Sequence, residues 1–199
     1  AYSIDKYKLS GKAYNMFDCI NICHATSSAI CAYKNGVLPK CETWEQLISA
    51  SKSEEGKGYA WCELLTEEKL GYLALLRNVR NILQAMEFLP KIVKIPYTKI
   101  LCDQLCNAEA IKKSLVFPYQ IYTCYKTLVK SGLCDEEITK SLGYAFSVSI
   151  DNVPSFDGNS AVLLDVSGSM EDPISKNSVI SIKEAGAVFA VALALKNLG

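Results

Sequence analysis

The stretch Leu70-Gly-Tyr-Leu-Ala-Leu-Leu-Arg-Asn-Val-Arg-Asn-Ile-Leu-Gln-Ala-Met86 decides how this chain folds. Tyr72, Leu76, Val79, Leu83 and Met86 recur every three or four residues. That is the spacing of a single α-helical face, so the stretch predicts a helix with one buried stripe. We place its start after Thr66, with Glu67 and Glu68 favouring its positive end, and its stop before Pro90.

Working outward, residues 1 to about 150 read as successive amphipathic helices with short polar breaks. Thr43 and Gln46 form a capping-box pair ahead of a helix from Trp44. Another helix is expected over roughly residues 97 to 106, and a short one after Asn107, whose side chain suits an N-cap. Pro118 can open the next, with Ile121, Tyr122, Tyr125, Leu128 and Val129 inward and Gly132 at its exit. Asp135 caps a last one, whose inner face is Ile138, Leu142, Ala145 and Phe146.

Short loops between such helices suggest antiparallel pairs stacked as a solenoid, with an ordinary helical bundle as the alternative. From residue 151 the chain changes character. Asp151-Asn-Val-Pro-Ser-Phe-Asp-Gly-Asn-Ser160 is rich in turn formers, and Ala161-Val-Leu-Leu164 is a continuous apolar run. We read a linker, a buried strand, the loop Asp165-Val-Ser-Gly-Ser-Met170 and a helix over about residues 178 to 198. Strand, loop and apolar helix would open a doubly wound α/β domain.

Half of the residues are apolar, enough for a sizeable core. Lys plus Arg and Asp plus Glu are both 21, so net charge gives no global pull toward nucleic acid, and an RNA site must be a local patch. Nine cysteines (19, 23, 31, 41, 62, 102, 106, 124 and 134) are an odd number, and most sit in helical patterns. Reduced core thiols are therefore expected rather than a disulfide framework. Cys19/Cys23 and Cys102/Cys106 share a helix face, but His24 is the only histidine, and zinc needs four convergent ligands. The longest apolar stretch, residues 185 to 195, falls short of the ~20 residues that span a bilayer, so no membrane partner is expected. Starting at Ala1 and ending just after a helical pattern, the chain is expected to be cut at both ends.

Several motifs resemble, in order, those of Ro ribonucleoproteins. Leu70-Gly-Tyr-Leu-Ala-Leu-Leu-Arg-Asn-Val-Arg-Asn-Ile82 resembles that family's Ala-Leu-Leu-Arg-Asn-Leu helix, with Trp61-Cys-Glu-Leu-Leu65 ahead of it. Cys102-Asp-Gln-Leu-Cys-Asn107, Lys112-Lys113, Phe117-Pro118-Tyr119 and Asn152-Val-Pro154 follow. The resemblance implies a mainly α fold. Residues 1–150 would be a partial HEAT-like helical-repeat (TROVE) domain, 151–159 a linker, and 160–199 the first strand and helix of an α/β von Willebrand factor type A (vWA) domain.

It also implies function: a noncatalytic RNA-binding protein, cytoplasmic, that takes small noncoding Y RNA and the single-stranded ends of misfolded RNA in RNA quality control. An exoribonuclease or other protein could be a further partner, and DNA is not expected. Lys6-Tyr-Lys8 and Ile22-Cys-His24 resemble a family stretch that contacts RNA, although Ala25-Thr26 departs from the family's usual continuation, and Lys12 could add a third ammonium group beside Lys6 and Lys8. Ammonium groups would hold phosphates, and His24 would donate a hydrogen bond or stack on a base. The alternative is a solvated lysine face with His24 in the core. Arg77 and Asn78 either contact RNA or bond neighbouring helix ends.

Asp165, Ser167 and Ser169 offer one carboxylate and two hydroxyls, hard oxygens of the kind Mg²⁺ prefers. They resemble the metal-ion-dependent adhesion site of vWA domains, whose further ligands come from later loops, so a divalent-cation site would be incomplete here. These residues could equally shape only the turn. No G-x-S-x-G and no P-loop is present, which leaves hydrolase and NTPase readings little support. A second functional class is a protein-interaction scaffold using the helical repeats and the vWA metal site.

Overall fold

The computed structural model describes residues 4, 15–38, 43–158 and 160–197. Among the described residues the ordered elements are ten α-helices and two short 3-10 helices (Ile150–Asn152 and Gly168–Glu171), with no strand. They are α1 (Met16–Ile22), α2 (Ser28–Lys34), α3 (Trp44–Ala50), α4 (Glu54–Thr66), α5 (Tyr72–Met86), α6 (Lys91–Leu105), α7 (Ala108–Ser114), α8 (Pro118–Lys130), α9 (Glu136–Ser149) and α10 (Ile182–Asn197). The mainly helical expectation holds. The chain divides into two compact units, Ala1–Lys52 and Ser53–Gly199.

The first unit is held by caps. Asn15 Oδ1 accepts from the amides of Phe17 (2.8 Å) and Asp18 (3.0 Å), and Asp18 returns a carboxylate oxygen to the Asn15 amide at 2.9 Å. Ser27 caps α2 through the Ile30 amide. Thr43 and Gln46 form the expected reciprocal pair ahead of α3, each bond 3.4 Å long. Helices this short are marginal without such bonds, because their first amides have no intrahelical partner.

In the second unit the predicted stripe is the core. Tyr72, Leu76, Val79, Leu83 and Met86 are all buried, joined by Leu75, Ile82 and Ala85 of the same helix. α5 packs on α4, α6, α7 and α8, and α9 packs on α6, α7 and α8. Each fully buried Leu or Val contributes about 1.5–3 kcal/mol of transfer free energy. Two side chains also close helix ends: Gln104 Nε2 donates to the Leu65 carbonyl at 2.6 Å, and the Tyr72 hydroxyl donates to the Leu105 carbonyl at 2.9 Å. Both acceptors are last-turn carbonyls; that of Leu65 also accepts from the Glu68 amide at 3.3 Å.

Several boundaries differ from expectation. Glu67 and Glu68 do not start α5; they form the turn that ends α4, with Glu68 at φ +50°, and α5 starts after Gly71. α6 begins at Lys91, earlier than expected, and carries Pro96 inside it. Such a proline forfeits one backbone bond, which makes sequence reading stop there. On α8 it is Cys124 rather than Val129 that faces inward; Val129 is 49% exposed. The caps at Asn107 and Asp135 and the positive φ at Gly132 are as predicted.

The thiols divide by position. Cys62, Cys102 and Cys124 are buried as expected, whereas Cys19, Cys23 and Cys31 are exposed. Burial pushes the Cys62 thiol up to about 11 and the Cys124 thiol up to about 12, so both stay protonated and inert near neutrality.

The expected buried strand at residues 161–164 is not formed. These residues are exposed, Leu163 at 96%, and pair with no other described segment. A strand exists only through bonds to a neighbour, and no extended neighbour lies beside it among the described residues. The helix after the loop does form, starting at Ile182 rather than near 178. Ser181 and Glu184 cap it reciprocally at 3.1 Å each way. α10 lies on α8: Phe189 stacks on Tyr119 with ring centroids 5.4 Å apart, and Glu184 pairs with Lys126 at 2.8 Å. Ahead of the loop, Asn152 Nδ2 donates to the carbonyls of Ile111 (3.1 Å) and Val116 (2.8 Å), fastening the chain to the end of α7.

Candidate nucleic-acid interface

Of the sequence-derived RNA residues, Lys6, Lys8 and Lys12 lie outside the described residues. His24 is described. It follows α1 in a turn at φ +48°, and its side chain is exposed. The core alternative for His24 is therefore not what the fold shows, and the imidazole is open to a ligand.

Among the described residues Arg77 and Asn78 do not bond neighbouring helix ends. Asn78 Nδ2 donates back to the Ala74 carbonyl at 2.8 Å, and Asn78 Oδ1 accepts from Asn81 Nδ2 at 3.0 Å. Gln104 and Tyr72 take the role envisaged for them. Arg77 is exposed, as is Arg80 one turn further on, and neither makes an ion pair or a hydrogen bond among the described residues.

Both arginines line a groove of about 320 Å³ between α5 and α8. Leu76, Cys124 and Leu128 are its buried apolar members. Across from the arginines stand Tyr119, Gln120, Thr123 and Thr127 of α8, and among the described residues no acidic side chain lines the groove. Gln120 Oε1 accepts from the Phe117 amide at 2.8 Å, which leaves its Nε2 as a donor. Thr123 and Thr127 give their hydroxyl protons to the carbonyls of Tyr119 and Thr123, each at 2.7 Å, so their oxygens are left as acceptors. Sequence reading found Arg77 but missed Arg80 and the whole α8 side. The only signal for Arg80 was its helical spacing from Arg77.

At the carboxyl-terminal loop, Asp165 Oδ1 accepts from the Ser167 amide at 2.8 Å, and the hydroxyls of Ser167 and Ser169 are 3.2 Å apart. The hydrogen bond from the Ser167 amide holds the Asp165 carboxyl below the usual carboxylate range. Adjacent ligands in an octahedral Mg²⁺ shell are about 3 Å apart, so the hydroxyl spacing fits one edge of such a shell. All three side chains are exposed, and no group of three or more His, Cys, Asp or Glu is placed to hold a metal among the described residues. No described helix is long and apolar enough to cross a membrane.

Two uncompensated guanidinium groups in a groove are donors of the kind that suit an anion. The family comparison is specific: the TROVE domain matches residues 23–132, more than half of the chain. The chain belongs to the TROVE domain family, the domain of the RNA-binding Ro ribonucleoproteins. No curated protein and no solved structure matches it.

Proposed function

We propose that this chain is a noncatalytic RNA-binding protein of Ro ribonucleoprotein type, acting in the cytoplasm on small noncoding Y RNA and on misfolded RNA with single-stranded ends. Membership of the TROVE domain family over residues 23–132 is the observation that carries the reading. The exposed His24 supports it, as does the groove with two free guanidinium groups. Lys6, Lys8 and Lys12 join His24 as proposed RNA contacts, and an exoribonuclease is a fitting protein partner for RNA quality control.

Residues 1–150 are read as the HEAT-like TROVE segment, 151–159 as the linker and 160–199 as the opening of a vWA domain. In that domain Asp165, Ser167 and Ser169 would supply three oxygen ligands to Mg²⁺. With so few protein ligands to offset the ion's dehydration, binding by this chain is weak. Calorimetry with Mg²⁺ is expected to show only weak binding, abolished in Asp165→Ala; tight binding abolished by the substitution would show that the site forms without its missing loops, and binding that survives it contradicts the assignment.

The neutral net charge favours the scaffold reading, in which the repeats bind proteins alone. A filter-binding titration separates the two. The RNA reading predicts that a hairpin RNA is retained and that Lys6→Glu with Lys8→Glu and Lys12→Glu weakens retention without loss of helicity, since exposed charges contribute little to folding. A scaffold retains no RNA.

A further inference from the structure

We propose that the groove between α5 and α8 is a backbone-phosphate site for single-stranded RNA, in which Arg77 and Arg80 each hold a phosphate. The inference rests on the RNA-binding reading above and narrows it to a place and a ligand.

Arg77 and Arg80 are the only two arginines in the chain, against nineteen lysines, and both line this one groove. Arginine differs from lysine in presenting a planar fork of donors that matches a phosphate at two points. Fold stability does not account for the placement, because like charges one turn apart destabilise a helix. Each guanidinium is exposed with no carboxylate partner among the described residues, whereas Lys126 of α8 is paired with Glu184 at 2.8 Å. The uncompensated charge is thus concentrated where the surface is concave, and a concave surface focuses the field on an anion.

The opposite wall favours RNA over a plain anion. The Thr123 and Thr127 oxygens have spent their protons on backbone carbonyls and can only accept, which suits a ribose 2′-hydroxyl acting as donor. Gln120 Nε2 adds a donor for a phosphate or base edge. Tyr119 is braced by Phe189, the rings inclined at 26°, and so offers a base a fixed aromatic neighbour. An acidic peptide would also satisfy the arginines, and the polyglutamate arm of the test separates it from RNA.

The test uses the full chain and a fluorescein-labelled decauridylate, read by anisotropy across a salt series, with Arg77→Gln/Arg80→Gln beside the wild type. Losing two phosphate contacts makes the log–log salt slope shallower by about 1.4 and weakens binding about 25-fold at 0.1 M salt. Decathymidylate, without 2′-hydroxyls, binds the wild type more weakly than decauridylate. Arg77→Lys/Arg80→Lys keeps both charges and therefore most of the slope, and it decides the matter should the glutamine variant lose helicity. An unchanged slope in the glutamine variant, or a collapsed slope in a folded lysine variant, overturns the site while leaving RNA binding elsewhere intact. Retention of hairpin RNA with no binding of decauridylate, or preference for polyglutamate, overturns it as well. If the wild type binds no RNA of any kind, the RNA reading and this site fall together.

Discussion

Gly58 shows how tightly single atoms constrain the helical core. A Cβ built there would lie 2.9 Å from the Ala85 carbonyl oxygen and 2.9 Å from Leu89 Cγ, closer than real side-chain contacts allow. The missing side chain is what lets α4 approach α5. Alanine gains helix propensity of about 1 kcal/mol over glycine in an unconstrained helix. Against that, overpacking on a backbone oxygen that cannot swing away costs about 1–3 kcal/mol. Gly58→Ala therefore lowers the urea midpoint of unfolding. A midpoint equal to or above that of the wild type shows that α4 and α5 are less closely packed than described. The same scale separates Arg77 from Asn78. Adjacent in sequence, one points into a groove without a partner and the other turns back on the Ala74 carbonyl of its own helix.

At the scale of the element, α10 depends on a charge contact that pH can remove. The Lys126 ammonium, then the Ser181 amide, holds Glu184 below the usual glutamate range, with the Tyr122 hydroxyl also donating to it. A carboxylate whose pKa is depressed by folding adds stability above its unfolded value, about 4.3, and that stability is lost as pH falls through the folded value. Melting temperatures measured between pH 6 and pH 3 are expected to fall more for the wild type than for Glu184→Gln below about pH 4.3. Parallel curves for the two proteins would show that the Lys126 contact does not couple α10 to the fold.

Most of the helices were legible one at a time, because their signals are local. Asn107, Asp135 and the Thr43/Gln46 pair cap the helices that their sequences announce. The α5 stripe was legible because its face is buried along its whole length. What escaped were properties conferred by neighbours. Cys124 in place of Val129 on the inner face of α8 follows from where α5 lies, and residues 161–164 need a pairing partner to become a strand. The groove is the clearest instance. Arg77 was singled out and Arg80 was not, and Tyr119, Gln120, Thr123 and Thr127 become their neighbours only when α5 and α8 pack.

For the whole molecule the governing fact is that zero net charge coexists with membership of an RNA-binding family. These agree if the attraction is local, and the contacts we propose for it are His24 with Lys6, Lys8 and Lys12 and the arginine groove. Phosphate binding releases condensed counterions whatever the protein's total charge, so the response to salt reports local contacts and ignores the rest. The measurement that tests this most directly is the affinity of the full chain for a hairpin RNA with a single-stranded tail, taken across salt concentrations. The account predicts a straight log–log fall with a slope of at least about 2, from contacts worth about 0.7 each on a single strand. A flat response, or no binding at low salt, contradicts it and leaves the chain a helical protein-interaction scaffold.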